Sequence, residues 1–187
     1  IDDNFTLNIR YAKAFCEAMI ALNLKDLRFG TPNGIRMQKG DPQLWKLMKQ
    51  AGWEFLVIAP ESGSKRTLQL MKKDLDLDIV PRVVEEIHAA GLKVHAFFMI
   101  GYPGERPEDL LETGKMIANT EIDFPVIAQF QPLPGTPVYD DLVACGEIPE
   151  GFTPGNATKG ERSYISAELK DFNTSWFSFK TYCLLML

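Results

Sequence analysis

The sequence has few of the residues that staple a fold, span a membrane or gather charge of one sign. Its three cysteines, Cys16, Cys145 and Cys183, lie far apart among 187 residues. No pair has metal-site or disulfide-framework spacing, and an odd count with no mark of secretion predicts reduced thiols in a cytoplasm. Each is expected to pack rather than react; Cys16 shares a helix face with Ala12, Phe15 and Met19. No apolar run approaches the roughly 18 residues that a membrane span needs, and the opening residues do not read as a secretory leader. A net charge of −5 gives no basic footprint for nucleic acid. An initial methionine is also missing. Ile1-Asp2-Asp3-Asn4-Phe5-Thr6 reads as a loop leaving an upstream strand, so the chain is expected to be the later part of a longer one.

What is present is ordinary globular material: 45% hydrophobic and 24% charged residues, enough for one core. The pattern alternates between helix and strand. Residues 8–22 carry Ile9, Ala12, Phe15, Cys16 and Met19 at helical spacing, and 27–31 read as a short strand. Asp41-Pro42 caps and opens a second helix with Leu44, Leu47, Met48 and Ala51 on its buried face, stopped by Gly52. Residues 53–59 are nearly all apolar, as in a strand covered on both faces. Helices are expected over 64–71, from Asp78 to Gly91, from Arg106 onward and over 138–145, with strands at 94–100 and 124–130. After a Gly- and Pro-rich stretch at 146–160, an amphipathic helix over 167–187 with Phe172, Trp176, Phe179 and Tyr182 is expected to pack on the body. This rhythm predicts right-handed βαβ units and a parallel sheet.

The two kinds of connection differ. Helix-to-strand links such as Gly91-Leu92-Lys93 are short and generic. Strand-to-helix links are elaborate: DDNFT (2–6), TPNGIR (31–36), PESGS (60–64), IGYPGE (100–105) and QPLPGTP (131–137). In parallel α/β folds ligands bind outside the carboxyl ends of the strands, where all five loops fall. A large site is therefore expected on that edge.

Its residues have competing readings. Gly101 and Gly104 let backbone approach a flat or bulky ligand. Glu61 could accept hydrogen bonds from sugar hydroxyls, while Ser62 or Ser64 could simply cap a helix. Asp2 and Asp3 could hold a metal or an ammonium group, or be a solvated acidic loop. Arg36 and Lys73 could meet a carboxylate or be surface charges. His88 reads as a surface residue and His95 as a core residue that could touch substrate only if it points into a barrel. Met37, Met48, Met71 and Met99 read as core.

At these loops the chain strongly resembles the radical S-adenosylmethionine enzymes, in particular the branch often fused to a cobalamin-binding domain. The matching pieces are IDDNFT (1–6), PNGIR (32–36), ESGS with LQLMKK (61–73), FFMIGYPGE (97–105) and PLPGTPVYD (132–140), in family order and spacing. They cover residues 1–145, the C-terminal part of a barrel. Residues 146–187 would be a loop and helical tail resembling the family's C-terminal extension. The resemblance implies an α/β fold, a partial TIM-type (βα)6 barrel truncated at its N-terminus. It implies S-adenosylmethionine bound through a [4Fe–4S] cluster held by C-x3-C-x2-C, and one-electron cleavage to methionine and a 5′-deoxyadenosyl radical. Cobalamin, a small-molecule substrate and an electron donor such as flavodoxin or ferredoxin belong to the same expectation.

Carried over by position, Asp2 and Asp3 fall where the family contacts the methionine amino group. Asn33 lies near the ribose position, and Glu61 and Ser62 match ribose contacts. Lys73 falls where a basic residue pairs with the methionine carboxylate. Ile100 and Gly101 match the loop whose backbone meets adenine, and Gln131 and Pro132 lie near adenine or substrate. The pattern departs in one respect: C-x3-C-x2-C is absent and would lie before Ile1, so the chain alone should be inactive. Two other readings stand beside the enzyme. One is a clusterless barrel acting as a binding or scaffold module. The other is an aldolase-type phosphate binder, ranked last because Pro132, Pro134 and Pro137 leave PLPGTP few backbone donors.

Overall fold

The computed structural model describes residues 4–24, 26–155 and 164–184, with backbone alone at 179 and 182–184. A 3₁₀ turn at Phe5–Leu7 leads into helix α1 (Ile9–Leu22), strand β1 (Phe29–Gly30), α2 (Pro42–Ala51) and β2 (Trp53–Glu61). Then come α3 (Lys65–Leu70), α4 (Val80–Ala89), β3 (Lys93–Ile100), α5 (Pro107–Asn119), β4 (Phe124–Gln129), α6 (Pro137–Ala144) and α7 (Thr174–Leu184). The four strands form one parallel sheet in the order β1-β2-β3-β4, each joined to the next through a helix.

Local chemistry explains most boundaries. Asp41 accepts a hydrogen bond from Leu44 N at 2.7 Å and Pro42 follows it in the first turn, which starts α2. Gly52 ends that helix at φ +108°, a conformation that favours glycine. The start of the next long helix differs from expectation. Asp76 caps a 3₁₀ turn at Leu77–Ile79, accepting from Asp78 N at 3.1 Å, and α4 continues from that turn with no side-chain cap of its own. The strand expected over 27–31 shortens to two residues because the chain after it binds β2 differently. Thr31 Oγ1 accepts from Val57 N, and Ile35 N donates to Val57 O at 2.8 Å, so a turn takes over from the ladder. The tail is not one helix. A 3₁₀ turn covers Ala167–Leu169, and α7 starts afresh where the Asn173 side chain accepts from Trp176 N at 2.8 Å.

The main core lies between the sheet and its helices. Leu56 and Ile58 of β2 and Val94, Ala96 and Phe98 of β3 bury against Ala12 and Cys16 of α1, Leu44, Trp45 and Met48 of α2, and Val83, Val84 and Ile87 of α4. Each such side chain contributes about 1.5–3 kcal/mol on leaving water. Phe55, His95, Phe97 and Met99, on the other face of the strands, stay half-buried. Trp45 fits only because residue 40 is glycine: a Cβ there would sit 1.7 Å from the Trp45 ring. The tail packs by Leu169 and Phe177 onto Ile100 and Leu110.

Candidate functional site

All four strands run the same way, so their carboxyl ends share one edge, and the elaborate loops after β1, β2, β3 and β4 lie along it. The 4–6 segment joins them: Thr6 Oγ1 accepts from Arg36 N at 3.0 Å. At the β1–β2 end of this edge is a cavity of about 460 Å³. Asn33, Gly34 and Arg36 line it from the loop after β1, Asn4 from the chain start, and Lys73 and Asp74 from the loop after α3. The Lys73 ammonium pairs with the Glu61 carboxylate at 2.9 Å, and both side chains are part-exposed.

Glu61 has φ +66°, in the region that side chains other than glycine rarely adopt. Such a conformation costs on the order of 1–3 kcal/mol and persists where surrounding structure imposes it, often at functional sites. The surrounding structure here is a buried polar network behind the strand end. Ser62 has no exposed surface; its hydroxyl meets Thr113 Oγ1 of α5 at 3.1 Å and accepts from Ser64 N at 3.1 Å. The Ser62 hydroxyl, expected at a ribose, thus faces α5 and the start of α3. Ser64 caps α3, accepting from Thr67 N, and donates to Asp109 Oδ1 at 2.7 Å. Arg66 forms an ion pair with Asp109 and donates to Gly104 O at 2.6 Å. Burial alone would raise the Asp109 carboxyl, but hydrogen bonds from Arg66, Ser64 and Arg106 hold it below its usual range.

The β3–β4 end of the edge is arranged differently. Ile100 points its side chain into the tail core, and its carbonyl accepts from Phe130 N at 2.8 Å. Gly101, at φ +82°, donates its N–H to Glu105 Oε2 at 2.5 Å. Backbone conformation is thus what Gly101 and Gly104 (φ +79°) supply. Glu105 is fully buried, takes Tyr102 N and the Thr67 hydroxyl as further donors, and is pushed up to about 7 by burial. At the end of β4, Gln131 Oε1 accepts from Tyr164 N at 3.1 Å and Gln129 Nε2 donates to Tyr164 O at 2.8 Å. The C-terminal segment thereby lies against Gln131, and Pro132 is buried.

The structure thus brings together Asn33, Lys73 and Glu61, with Arg36 beside them, and sets Ile100, Gly101, Gln131 and Pro132 in separate surroundings. Asp2 and Asp3 lie outside the described residues. His88 Nε2 donates to the Asp123 Oδ2 carboxylate at 2.8 Å on the outer surface. His95 stacks on Phe55 at 4.3 Å and lies near Phe124 at 5.4 Å, with burial lowering its pKa. It sits five residues before the end of β3, about 16 Å from the site edge at strand rise. Sequence reasoning missed Glu105, Arg66, Asp109 and Thr113. Glu105 closes the IGYPGE stretch, and Asp109 and Thr113 are four residues apart on one helix face. Their spacing was the available signal.

No helix among the described residues is long and apolar enough to cross a membrane. The chain resembles the cytidylyl-2-hydroxyethylphosphonate methyltransferase of Streptomyces wedmorensis at 33% identity over 103 residues, 54% of this chain and 19% of the relative. It resembles the anaerobic magnesium-protoporphyrin IX monomethyl ester cyclase of Cereibacter sphaeroides at 26% identity over 142 residues, 75% of this chain and 23% of the relative. The chain therefore spans about a fifth of these relatives' lengths. In fold it superposes on the radical S-adenosylmethionine methyltransferase TsrM of Kitasatospora setae with a TM-score of 0.73, 15% identity, 98% of this chain and 42% of that one. Its four parallel strands are a half-barrel of the same α/β kind. Residues 3–117 match the family model of the radical SAM superfamily, and the chain belongs to that superfamily.

Proposed function

We propose that this chain supplies the S-adenosylmethionine- and substrate-facing loops of a radical S-adenosylmethionine enzyme. The observation that carries this reading is Glu61: a strained backbone at a strand end, with its carboxylate paired to a lysine that lines a polar cavity. The group fits these residues. It has a carboxylate for Lys73 or Arg36, ribose hydroxyls for Glu61 and Asn33, and positive centres that the Glu61 charge offsets. Lys73 would orient the methionine carboxylate, and Glu61, held by Lys73, would accept from the ribose. Ile100 and Gly101 would offer the remaining edge of the loop to adenine, Gln131 and Pro132 would bound the substrate side, and Asp2 and Asp3 would meet the methionine amino group. When bound, the group would supply a 5′-deoxyadenosyl radical on one-electron reduction, leaving methionine, or, without that reduction, a methyl group where cobalamin takes part, leaving S-adenosylhomocysteine.

The cluster does not fit the described residues. Among them no three His, Cys, Asp or Glu side chains are placed to hold a metal. Cys16 is buried in the core and Cys145 is exposed. The C-x3-C-x2-C ligands that the superfamily implies are not among the described residues. The same reading assigns 1–145 to the barrel and 146–187 to a tail extension. It also assigns cobalamin as a further cofactor, a small-molecule substrate, a flavodoxin or ferredoxin as electron donor, and a cytoplasmic location. Methyltransferases and a cyclase among the relatives keep both methyl transfer and radical oxidoreduction within it.

The test is S-adenosylmethionine affinity in the whole protein, prepared anaerobically and followed by titration calorimetry. Glu61→Ala and Lys73→Ala should each weaken binding about tenfold, the loss of one charge-assisted contact. Unchanged affinity in both would overturn the site, though not the fold.

A further inference from the structure

We infer that Thr113, on α5 and outside the cavity, is a positioning residue for the cofactor-facing end of β2. The inference rests on the assignment of Glu61 and Lys73 to S-adenosylmethionine. Thr113 is 1% exposed, and its hydroxyl has three partners. It accepts from Gly63 N at 2.9 Å, contacts Ser62 Oγ at 3.1 Å, and donates to Asp109 O one helical turn back at 3.2 Å. Its one proton goes to Asp109 O and Ser62 Oγ already accepts from Ser64 N, so the Ser62 hydroxyl donates to Thr113. One hydroxyl thus holds the two residues that directly follow Glu61.

The close approach is built in on both sides. A Cβ on Gly63 would lie 2.7 Å from both Glu112 O and Thr113 Cα, so only glycine lets the loop reach α5. Glu61 at φ +66° has no such allowance: its side chain disfavours the conformation, and something else must impose it. The two residues after it are pinned to α5 by Thr113, and the Glu61 carboxylate itself reaches Lys73 at 2.9 Å. Without the Thr113 hydroxyl, the Ser62 O–H and Gly63 N–H lose their buried acceptor. The strand end can then relax toward an ordinary extended φ, which turns the Glu61 carboxylate away from the cavity.

The experiment compares Thr113→Val, Thr113→Ser, Glu61→Ala and Lys73→Ala in the anaerobically prepared holoprotein. The readouts are S-adenosylmethionine affinity by calorimetry and thermal midpoint without ligand. Val keeps the shape of Thr and removes the acceptor; Ser keeps the acceptor and removes a methyl group. We expect Thr113→Val to bind about tenfold more weakly and Thr113→Ser to bind within about twofold of the parent, even where Ser has the lower midpoint. That split between affinity and stability is one that a merely structural role would not give. Parent affinity in Thr113→Val, or equal losses in Val and Ser, overturns the positioning role while Glu61→Ala and Lys73→Ala still bind weakly. Unchanged affinity in those last two overturns the underlying site and this inference with it.

Discussion

At the β1–β2 end of the sheet a lysine and a glutamate stand beside a cavity; at the β3–β4 end the polar groups already have protein partners. Lys73 and Glu61 have each other and part-exposed side chains, with Asn33 and Arg36 at the same cavity. Ile100 O, Gly101 N and Gln131 Oε1 instead bond Phe130, Glu105 and Tyr164. The first end stores strain at Glu61 and leaves charge where a ligand can meet it. The second uses the same loop chemistry to fix its own shape. A loop rich in glycine and polar groups therefore does not by itself announce a ligand; what distinguishes the two ends is whether charged side chains stay part-exposed beside a cavity.

The sharpest way to break this contrast is at Asp109, which ties the two ends together. Its carboxylate takes Ser64, Arg66 and Arg106 N, and Arg66 in turn holds Gly104 O. Asp109→Ala would strand three donors around a side chain that is only 7% exposed. We expect a loss of about 3 kcal/mol in denaturant unfolding. Asp109→Asn, which keeps one acceptor oxygen but neither the second nor the charge, should lose less. A loss under about 0.5 kcal/mol, the size expected of an ordinary surface substitution, would show that the ends are independent.

The self-satisfied end has a pH signature of its own. Glu105 is raised from the ordinary 4.5 to about 7, first by burial and then by Asp109, against the amides of Gly101 and Tyr102. Its folded pKa lies above its unfolded one, so the native state binds more protons between these values. Its contribution to stability is whole at acid pH and falls as pH rises from about 4.5 to about 7. Lowered carboxylates such as Asp109 and Asp41 slope the other way, so the comparison must be with a variant. Relative to Glu105→Gln, the parent should lose on the order of 2 kcal/mol across that window. Parallel stability curves would mean that the buried carboxyl keeps its ordinary pKa.

How much of this was legible follows from where each signal resides. Asp41-Pro42, Gly52 and the apolar runs of β2 and β3 act within a few residues, and the sequence states them directly. The position of the loops on one edge follows from the parallel strands of βαβ units. The buried network does not. Thr113 meets Ser62 from 51 positions away, and Glu105 meets Thr67 from 38. No local pattern marks a hydroxyl on a helix as the acceptor for a distant loop, nor a glutamate in a turn as fully buried. Ser62 shows the cost: its motif position suggests a ligand contact, while its hydroxyl faces α5. Tyr164 likewise comes to Gln131 from 33 positions away, through a tail whose packing the periodicity of 167–187 did not define.

The smallest effect is the most discriminating, because stability and binding should move in opposite directions. Glu61→Gly removes a side chain from φ +66°, where its Cβ is unfavourable. Placing glycine there should gain about 1 kcal/mol of stability, from the relief of a left-handed backbone. Against this stands the loss of the Lys73 pair, which is part-exposed and worth a few tenths of a kcal/mol to about 1 kcal/mol. The net change in unfolding free energy should therefore be between zero and a gain of about 1 kcal/mol. S-adenosylmethionine affinity should fall all the same, since the carboxylate is gone. A glutamate kept at the expense of stability is what a binding residue looks like. If Glu61→Gly were instead destabilised by about 2 kcal/mol with binding intact, the ion pair would be a structural clamp and this end of the sheet would resemble the other.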